Sequence, residues 1–151
     1  MDACDYIVQP VSWQDAQSPL AGVRRAVFVV EQGVPEELEW DEHDAAAAHV
    51  LASAAGGSPI GAGRLTEDGR IGRMAVLAQW RGRGVGSAML RLLIGIARER
   101  NAPSVKLHAQ THAMPFYARH GFRAVGEEFL EAGIPHREMV LQLAPAPARP
   151  A

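Results

Sequence analysis

The stretch Gln79-Trp80-Arg81-Gly82-Arg83-Gly84-Val85-Gly86-Ser87 packs three glycines and two arginines between an apolar segment, residues 70–77, and an apolar-periodic run that reaches Arg98. Strand, glycine loop and helix in that order make an anion site. First-turn amides of a helix have no intrahelical partner, and the helix dipole adds partial positive charge to that of the arginines. Two common anion loops do not fit. A Walker loop ends in Gly-Lys-Ser/Thr, and no lysine is present here. A dinucleotide loop pairs Gly-x-Gly-x-x-Gly with an acid at the end of the next strand. Here the glycines are Gly82, Gly84 and Gly86, and the next strand ends His108-Ala109-Gln110.

A second concentration of chemistry lies upstream. Residues 31–44 hold Glu31, Glu36, Glu37, Glu39, Asp41, Glu42 and Asp44, seven of the chain's 17 acids, with Trp40 among them. Two readings stand side by side: a solvated acidic loop, or an electronegative mouth for a cationic amine. The six histidines show no zinc spacing, since His108 and His112 straddle a strand end. No metal is expected. The single Cys4 lies outside every motif, so neither a disulfide framework nor a cysteine nucleophile is indicated.

With 151 residues and a hydrophobic fraction of 48%, the chain reads as one domain, residues 1–143, followed by a Pro/Ala-rich tail, 144–151, that is expected to be disordered. The net charge of −2 provides no global field for nucleic acid or an anionic membrane. The N-terminus lacks the basic and apolar regions of a signal peptide, and no apolar run is long enough to span a bilayer. A cytoplasmic protein is expected.

The elements that must position these residues follow from periodicity. Tyr6 to Val11 reads as a strand. Ser18-Pro19 looks like a helix start, and Leu20, Val23, Val27 and Val30 mark one apolar stripe to about Glu31, with Arg24 and Arg25 largely off it. Turns at Gly56-Gly57-Ser58 and Asp68-Gly69 divide residues 45–77 into three antiparallel strands. After the loop, Val85, Ala88, Met89, Leu92, Leu93, Ile96 and Ala97 form the broad apolar face of a helix. A strand over 104–109, a short helix over 111–120 closed by Gly121, and two strands over 122–130 and 136–143 complete the chain.

Two motifs then carry a family resemblance. Arg81-Gly82-Arg83-Gly84-Val85-Gly86 is similar to the acetyl-CoA loop of the GCN5-related N-acetyltransferases (GNAT family), Arg/Gln-x-x-Gly-x-Gly/Ala. Phe116-Tyr117 with Gly121-Phe122 resembles that family's second signature, and the element order matches from residue 6 to 143. Residues 27–35, Glu39-Trp40-Asp41 and Gly133-Ile134-Pro135-His136 resemble the ElaA/YjcF-like branch. The resemblance implies a mixed α/β fold. Its central, mostly antiparallel twisted sheet would have about seven strands, splayed in the middle and flanked by about four helices.

It also implies roles. Amides of Gly82, Gly84, Val85, Gly86 and Ser87, with Arg81 and Arg83, would hold the pyrophosphate of acetyl-CoA, the cosubstrate. Backbone groups of Met74, Ala75 and Val76 would pair with the pantetheine arm beside a strand bulge, Val76 N–H serving the thioester oxygen. Gln110 stands where many relatives carry an asparagine. Tyr117 would be general acid to the departing thiolate. A small-molecule or peptide amine would attack directly, through a tetrahedral intermediate and without an acyl-enzyme. Phe28, Glu39, Trp40, Asp41 and His136 would surround it. For the base, Glu31, Glu39, Asp41, Glu128 and His136 are candidates, with Glu31 and Glu128 favoured. A homodimer is open to such a chain. A non-catalytic acyl-CoA-binding module is the rival reading.

Overall fold

The computed structural model describes residues 5–39 and 42–143, with Leu38 and Glu39 described by backbone alone. Trp40, Asp41 and the tail 144–151 lie outside the described residues. Among the described residues, seven strands form two sheets. The first orders β1 (Tyr6–Val11), β2 (Ala48–Ala54), β3 (Pro59–Leu65) and β4 (Ile71–Val76) as an antiparallel meander. The second orders β5 (Ser104–Gln110), β7 (Ile134–Gln142) and β6 (Arg123–Glu131). Helix α1 (Trp13–Arg24) packs on one face of the first sheet, through Leu20 and Val23 against Leu51, Ala62 and Ala75. Helix α3 (Val85–Glu99) covers the other face, and α4 (Met114–Ala118) lies after β5. A single helical turn, α2 (Glu36–Glu39), precedes β2.

The two sheets touch where β4 and β5 begin. Arg70 bridges Lys106 in parallel, and Lys106 N–H donates to the Gly69 carbonyl at 3.0 Å. Beyond that point the strands diverge and a cleft opens. A bulge in β4 assists the divergence: Ala62 pairs with Ala75 and Arg64 with Gly72, so Gly63 alone opposes Arg73 and Met74. Arg73 adopts φ +50°, the left-handed backbone such a bulge requires. A Cβ at position 63 would lie 2.9 Å from Met74 Sδ and 3.1 Å from Leu93 Cδ1, so a side chain there would push these neighbours aside.

Helix α3 anchors the core. Val85, Met89, Leu90, Leu93, Ile94 and Ala97 are buried, each large apolar chain contributing roughly 1.5–3 kcal/mol. This face is turned slightly from the expected one. Leu92 and Ile96 pack on its flank instead, since the helix is apolar over more than one stripe.

The first helix differs more. It begins at Trp13, capped by the Ser12 hydroxyl that accepts from Asp15 N–H at 3.0 Å, and not at Ser18-Pro19. Ala16 breaks the helical backbone at φ −121°, ψ 19°, so Pro19 still sits in the first turn after a kink, where its missing N–H is harmless. From Arg25 to Glu31 the helix winds as a π-helix, with Gln32 N–H donating to Val27 O at 3.0 Å. The wider winding shifts the stripe. Val27 stays buried, but Val30 is 75% exposed.

Arg24, expected off the stripe, is 1% exposed and bonded to Asp44 at 2.8 Å, and Asp44 also accepts from Arg64 at 2.9 Å. His49 Nε2–H donates to the Asp44 carbonyl at 2.8 Å, and Trp13 stacks on His49. Burial opposes charge on Asp44, but the hydrogen bonds and charges of Arg24 and Arg64 outweigh it and hold its carboxyl below the usual range. Asp44 therefore belongs to the core. Glu36 pairs with Arg25 at the surface, and Glu31 with Arg81. Three acids of residues 31–44 are thus paired with arginines, Asp44 in the core and Glu31 and Glu36 at partly exposed positions.

Candidate active site

The cleft between β4 and β5 has a volume of about 860 Å³. One wall is β4 with the glycine loop. Gly82 and Gly84 take φ +78° and +87°, backbone that favours glycine. Among the described residues, none of the amides from 82 to 87 donates to another backbone group in a turn, loop or cap. A Cβ on Gly82 would meet nothing within 4 Å, whereas one on Gly86 would lie 3.4 Å from the Phe116 ring. Gly82, Gly84, Val85, Gly86 and Ser87 line the cleft, and their N–H groups stand at or just before the start of a 15-residue helix. That donor set fits a pyrophosphate.

The arginines of the loop are engaged elsewhere. Arg81 donates through Nη1 and Nη2 to both oxygens of Glu31 at 2.7 Å, and through Nε to the Val76 carbonyl at 2.9 Å. The Arg83 guanidinium lies 4.6 Å over the Trp80 ring and does not line the cleft. Ser87 lines it, with Oγ 2.9 Å from His120 Nε2. Burial, Arg91 and Arg119 lower the His120 pKa and so disfavour its charged form. Arg119 joins the wall over the Phe116 face, a cation that the sequence motifs did not single out.

Tyr117 reaches the cleft from α4, its ring packed edge-on against Phe116 and Phe122. Burial pushes its phenol up to about 12, so it is a neutral O–H donor at working pH. The backbone holds α4 in place: Gly121, at φ +96°, lets Phe122 N–H return to the Tyr117 carbonyl at 3.2 Å.

The opposite wall comes from distant segments. Val27, Phe28, Glu31 and Gln32 descend from the π-helical turn, His108 and Gln110 from β5, and Glu131, Ile134 and His136 from the β6–β7 hairpin. Gln110 is spoken for at both ends. Its Nε2 donates to Gln32 Oε1 at 2.9 Å, and its Oε1 accepts from His112 at 2.7 Å. Glu31 and Gln32 thereby tie the π-helix to both strands that flank the cleft. The Arg81 hydrogen bonds hold the Glu31 carboxyl below the usual range, against a small opposing effect of burial.

Met74, Ala75, Val76, Arg81, Gly82, Gly84, Val85, Gly86, Ser87, Gln110 and Tyr117 thus share one cleft with Phe28, Glu31 and His136. Arg83 and Glu128 are not among its lining residues, and Glu128 lies exposed on β6. Of the acidic loop, Trp40 and Asp41 and the Glu39 side chain lie outside the description. His108 and Glu131 of the cleft went unassigned in the sequence as well. His108 donates through Nδ1 to Glu131 at 2.8 Å, and its ring meets Phe129 edge-on. Strand alternation carried the signal, since His108 stands two residues before Gln110 and shares its face.

Over residues 11–143 the chain matches the acetyltransferase (GNAT) domain. The chain belongs to the GNAT family. This GNAT chain is 43% identical over 122 residues to the uncharacterized N-acetyltransferase YjcF of Bacillus subtilis (strain 168), covering 78% of this chain and 86% of that protein. Among solved structures, Escherichia coli ElaA superposes with a TM-score of 0.80 at 27% identity, over 91% of this chain and 99% of that one. An acyl-CoA N-acyltransferase from Pseudomonas aeruginosa superposes with a TM-score of 0.76 at 30% identity, over 91% and 98%. The resemblance to the ElaA/YjcF-like branch is thereby supported, and this GNAT chain is an acyl-CoA-dependent acetyltransferase. No helix among its described residues is long and apolar enough to cross a membrane. Its described residues hold no cluster of metal-ligating side chains.

Proposed function

We propose that the enzyme transfers an acetyl group from acetyl-CoA to a primary amine by direct attack within a ternary complex. The observation that carries this reading is the row of unpartnered amides over residues 82–87, in the same cleft as the neutral Tyr117 phenol. The amides of 82–87 would grip the pyrophosphate, and the bulged stretch Met74-Ala75-Val76 would pair with the pantetheine arm. Arg81 contributes mainly by holding the Val76 carbonyl and Glu31, so the loop's backbone is the principal anion ligand. Tyr117 would give its proton, or its hydrogen bond, to the departing thiolate. The amine would enter between Phe28 on the π-helical turn and His136 on β7.

Two-substrate initial-rate kinetics test this directly. CoA release is followed with benzylamine, spermidine and a lysine-containing peptide as acceptors. Intersecting double-reciprocal lines, with no acetylated protein detected by mass spectrometry after acetyl-CoA alone, are the expected result. Parallel lines with a stable acetyl adduct on the protein would replace direct attack by an acyl-enzyme route.

A further inference from the structure

An alkylammonium must lose a proton before it can attack a thioester, and the carboxylates that line the cleft among the described residues are already occupied. Glu31 is held by Arg81, and Glu131 accepts from His108. His136 is arranged differently. It is 6% exposed on β7, and its Nδ1 lies 2.6 Å from the Ile134 carbonyl. A carbonyl only accepts, so Nδ1 carries the hydrogen and Nε2 of the neutral ring carries the lone pair. The Phe129 ring stacks alongside at 6.0 Å and 21°. A ring flip would give up the Ile134 bond. Nε2 has no hydrogen-bond partner among the described residues and is not sealed from solvent, and what His136 exposes borders the cleft.

The cleft that His136 borders is also lined by Arg64, Arg70, Arg73 and Arg119. Register places Gln110 of β5 opposite His136, and His108 opposite Glu138 one step along the same face. From β6 the nearest contributions are Phe129, paired with His136, and Glu131, already bound to His108. Across the cleft stand Glu31 and Arg81, neutralising one another. Arg137 turns away, donating to the Gly126 carbonyl at 2.6 Å.

We infer that His136 is the general base of the transfer, taking the acceptor's proton on Nε2. The inference rests on the acetyl-transfer reading above. The ammonium first gives one proton to Nε2, which releases it to solvent. As the neutral amine nitrogen then bonds to the acyl carbon and the carbon–sulfur bond breaks, a second proton leaves nitrogen for Nε2. Tyr117 delivers its own to the thiolate, and solvent carries the second proton back to Tyr117. The products are an amide, a thiol and the one proton released to solvent, and no other reactant is consumed.

His136→Asn tests it, because an Asn amide N–H can keep the bond to Ile134 while nothing replaces Nε2. With the three acceptors named above, kcat should fall about 100-fold, the usual scale of a general base. The acidic limb of the pH–rate profile should disappear, acetyl-CoA affinity should stay within about twofold, and added imidazole should restore part of the rate. His136→Gln, with a neutral amide reaching the Nε2 position, should show the same loss. If either variant keeps kcat within about threefold and retains the acidic limb while wild type acetylates an amine, this assignment falls and the transfer reading stands. If wild type binds acetyl-CoA and acetylates none of the three amines, the transfer reading falls and takes the base with it.

Discussion

The two walls of the cleft are built by opposite means. The donor wall is one continuous stretch, residues 71–87, in which a bulged strand runs through a glycine loop into a helix. The groups it would offer acetyl-CoA in the proposed reaction are backbone ones, and its side chains serve as core or as props. The wall proposed for the acceptor is assembled from the π-helical turn, β5 and the β6–β7 hairpin, and it presents side chains held by other side chains. A wall made of backbone at a helix start can be recognised by residue type alone. A wall made of long-range side-chain pairs depends on how distant segments are set against each other.

The largest expected effect breaks the donor wall alone. Gly84→Glu sets a carboxylate among the unpartnered amides and imposes an L side chain at φ +87°, with its Cβ about where Tyr6 Oη is 3.5 Å away. Acetyl-CoA binding should vanish in calorimetric titration while far-UV dichroism still reports a folded chain. Retained binding would remove the pyrophosphate from this loop.

Next comes the support of the acceptor wall. Asp44→Asn removes the carboxylate that buried Arg24 and Arg64 share, and breaking a buried ion pair from one side costs about 3–5 kcal/mol. Denaturant unfolding should read that loss directly. The pH sign follows from the lowered carboxyl. Its folded pKa lies below the usual 3.8, so its contribution is present above that value and is lost as pH falls through the folded pKa. Wild type should therefore lose stability on acidification in a range where Asp44→Asn, already destabilised, changes less.

How much of this was legible follows from the same contrast. Glycine spacing, the Phe-Tyr and Gly-Phe pairs and the hairpin turns are local signals, and the three-stranded meander and helix α3 formed where they pointed, the helix with its buried face slightly turned. The acceptor wall was obscured by two physical facts. Leu20, Val23, Val27 and Val30 fit an α-helical stripe, but π-winding after Arg24 turned Val30 to solvent and aimed Phe28, Glu31 and Gln32 at the cleft. Nothing in a list of acids distinguishes Asp44, buried between two arginines, from Glu36 on the surface. Their partners Arg24, Arg25 and Arg64 lie 11 to 20 residues away. Glu128 failed to reach the cleft for a related reason. In β6 three residues, Gly126 to Glu128, oppose the single Arg137 of β7, and that irregularity disrupts the alternation on which a strand-face assignment depends.

Tyr117→Phe probes where the walls meet. The ring packing remains, but the O–H is lost, and kcat should fall about 100-fold with acetyl-CoA affinity unchanged. Because the phenol is pushed up to about 12, it stays protonated through the working range. The loss should therefore be a constant factor from about pH 6 to about pH 9, with no limb of the profile removed. A basic limb present in wild type and absent in the variant would mean that Tyr117 titrates in that range, contrary to its burial.

The smallest expected effect is the most discriminating between the walls. Glu31 and Arg81 form a bidentate pair across the cleft, yet their side chains are 43% and 42% exposed. Such a pair is screened by water and contributes about 1 kcal/mol or less, so Glu31→Gln should scarcely move the unfolding midpoint. Catalysis is the sharper readout. A carboxylate held charged by two guanidinium hydrogen bonds is a poor proton acceptor, and kcat should change less than about threefold. Acetyl-CoA should bind as well or slightly better, since Arg81 keeps its Nε bond to Val76 while its terminal nitrogens become available to an anion. A fall in kcat near 100-fold with a lost acidic limb would instead make Glu31 the proton acceptor and move the chemistry of the acceptor wall from β7 to the π-helical turn.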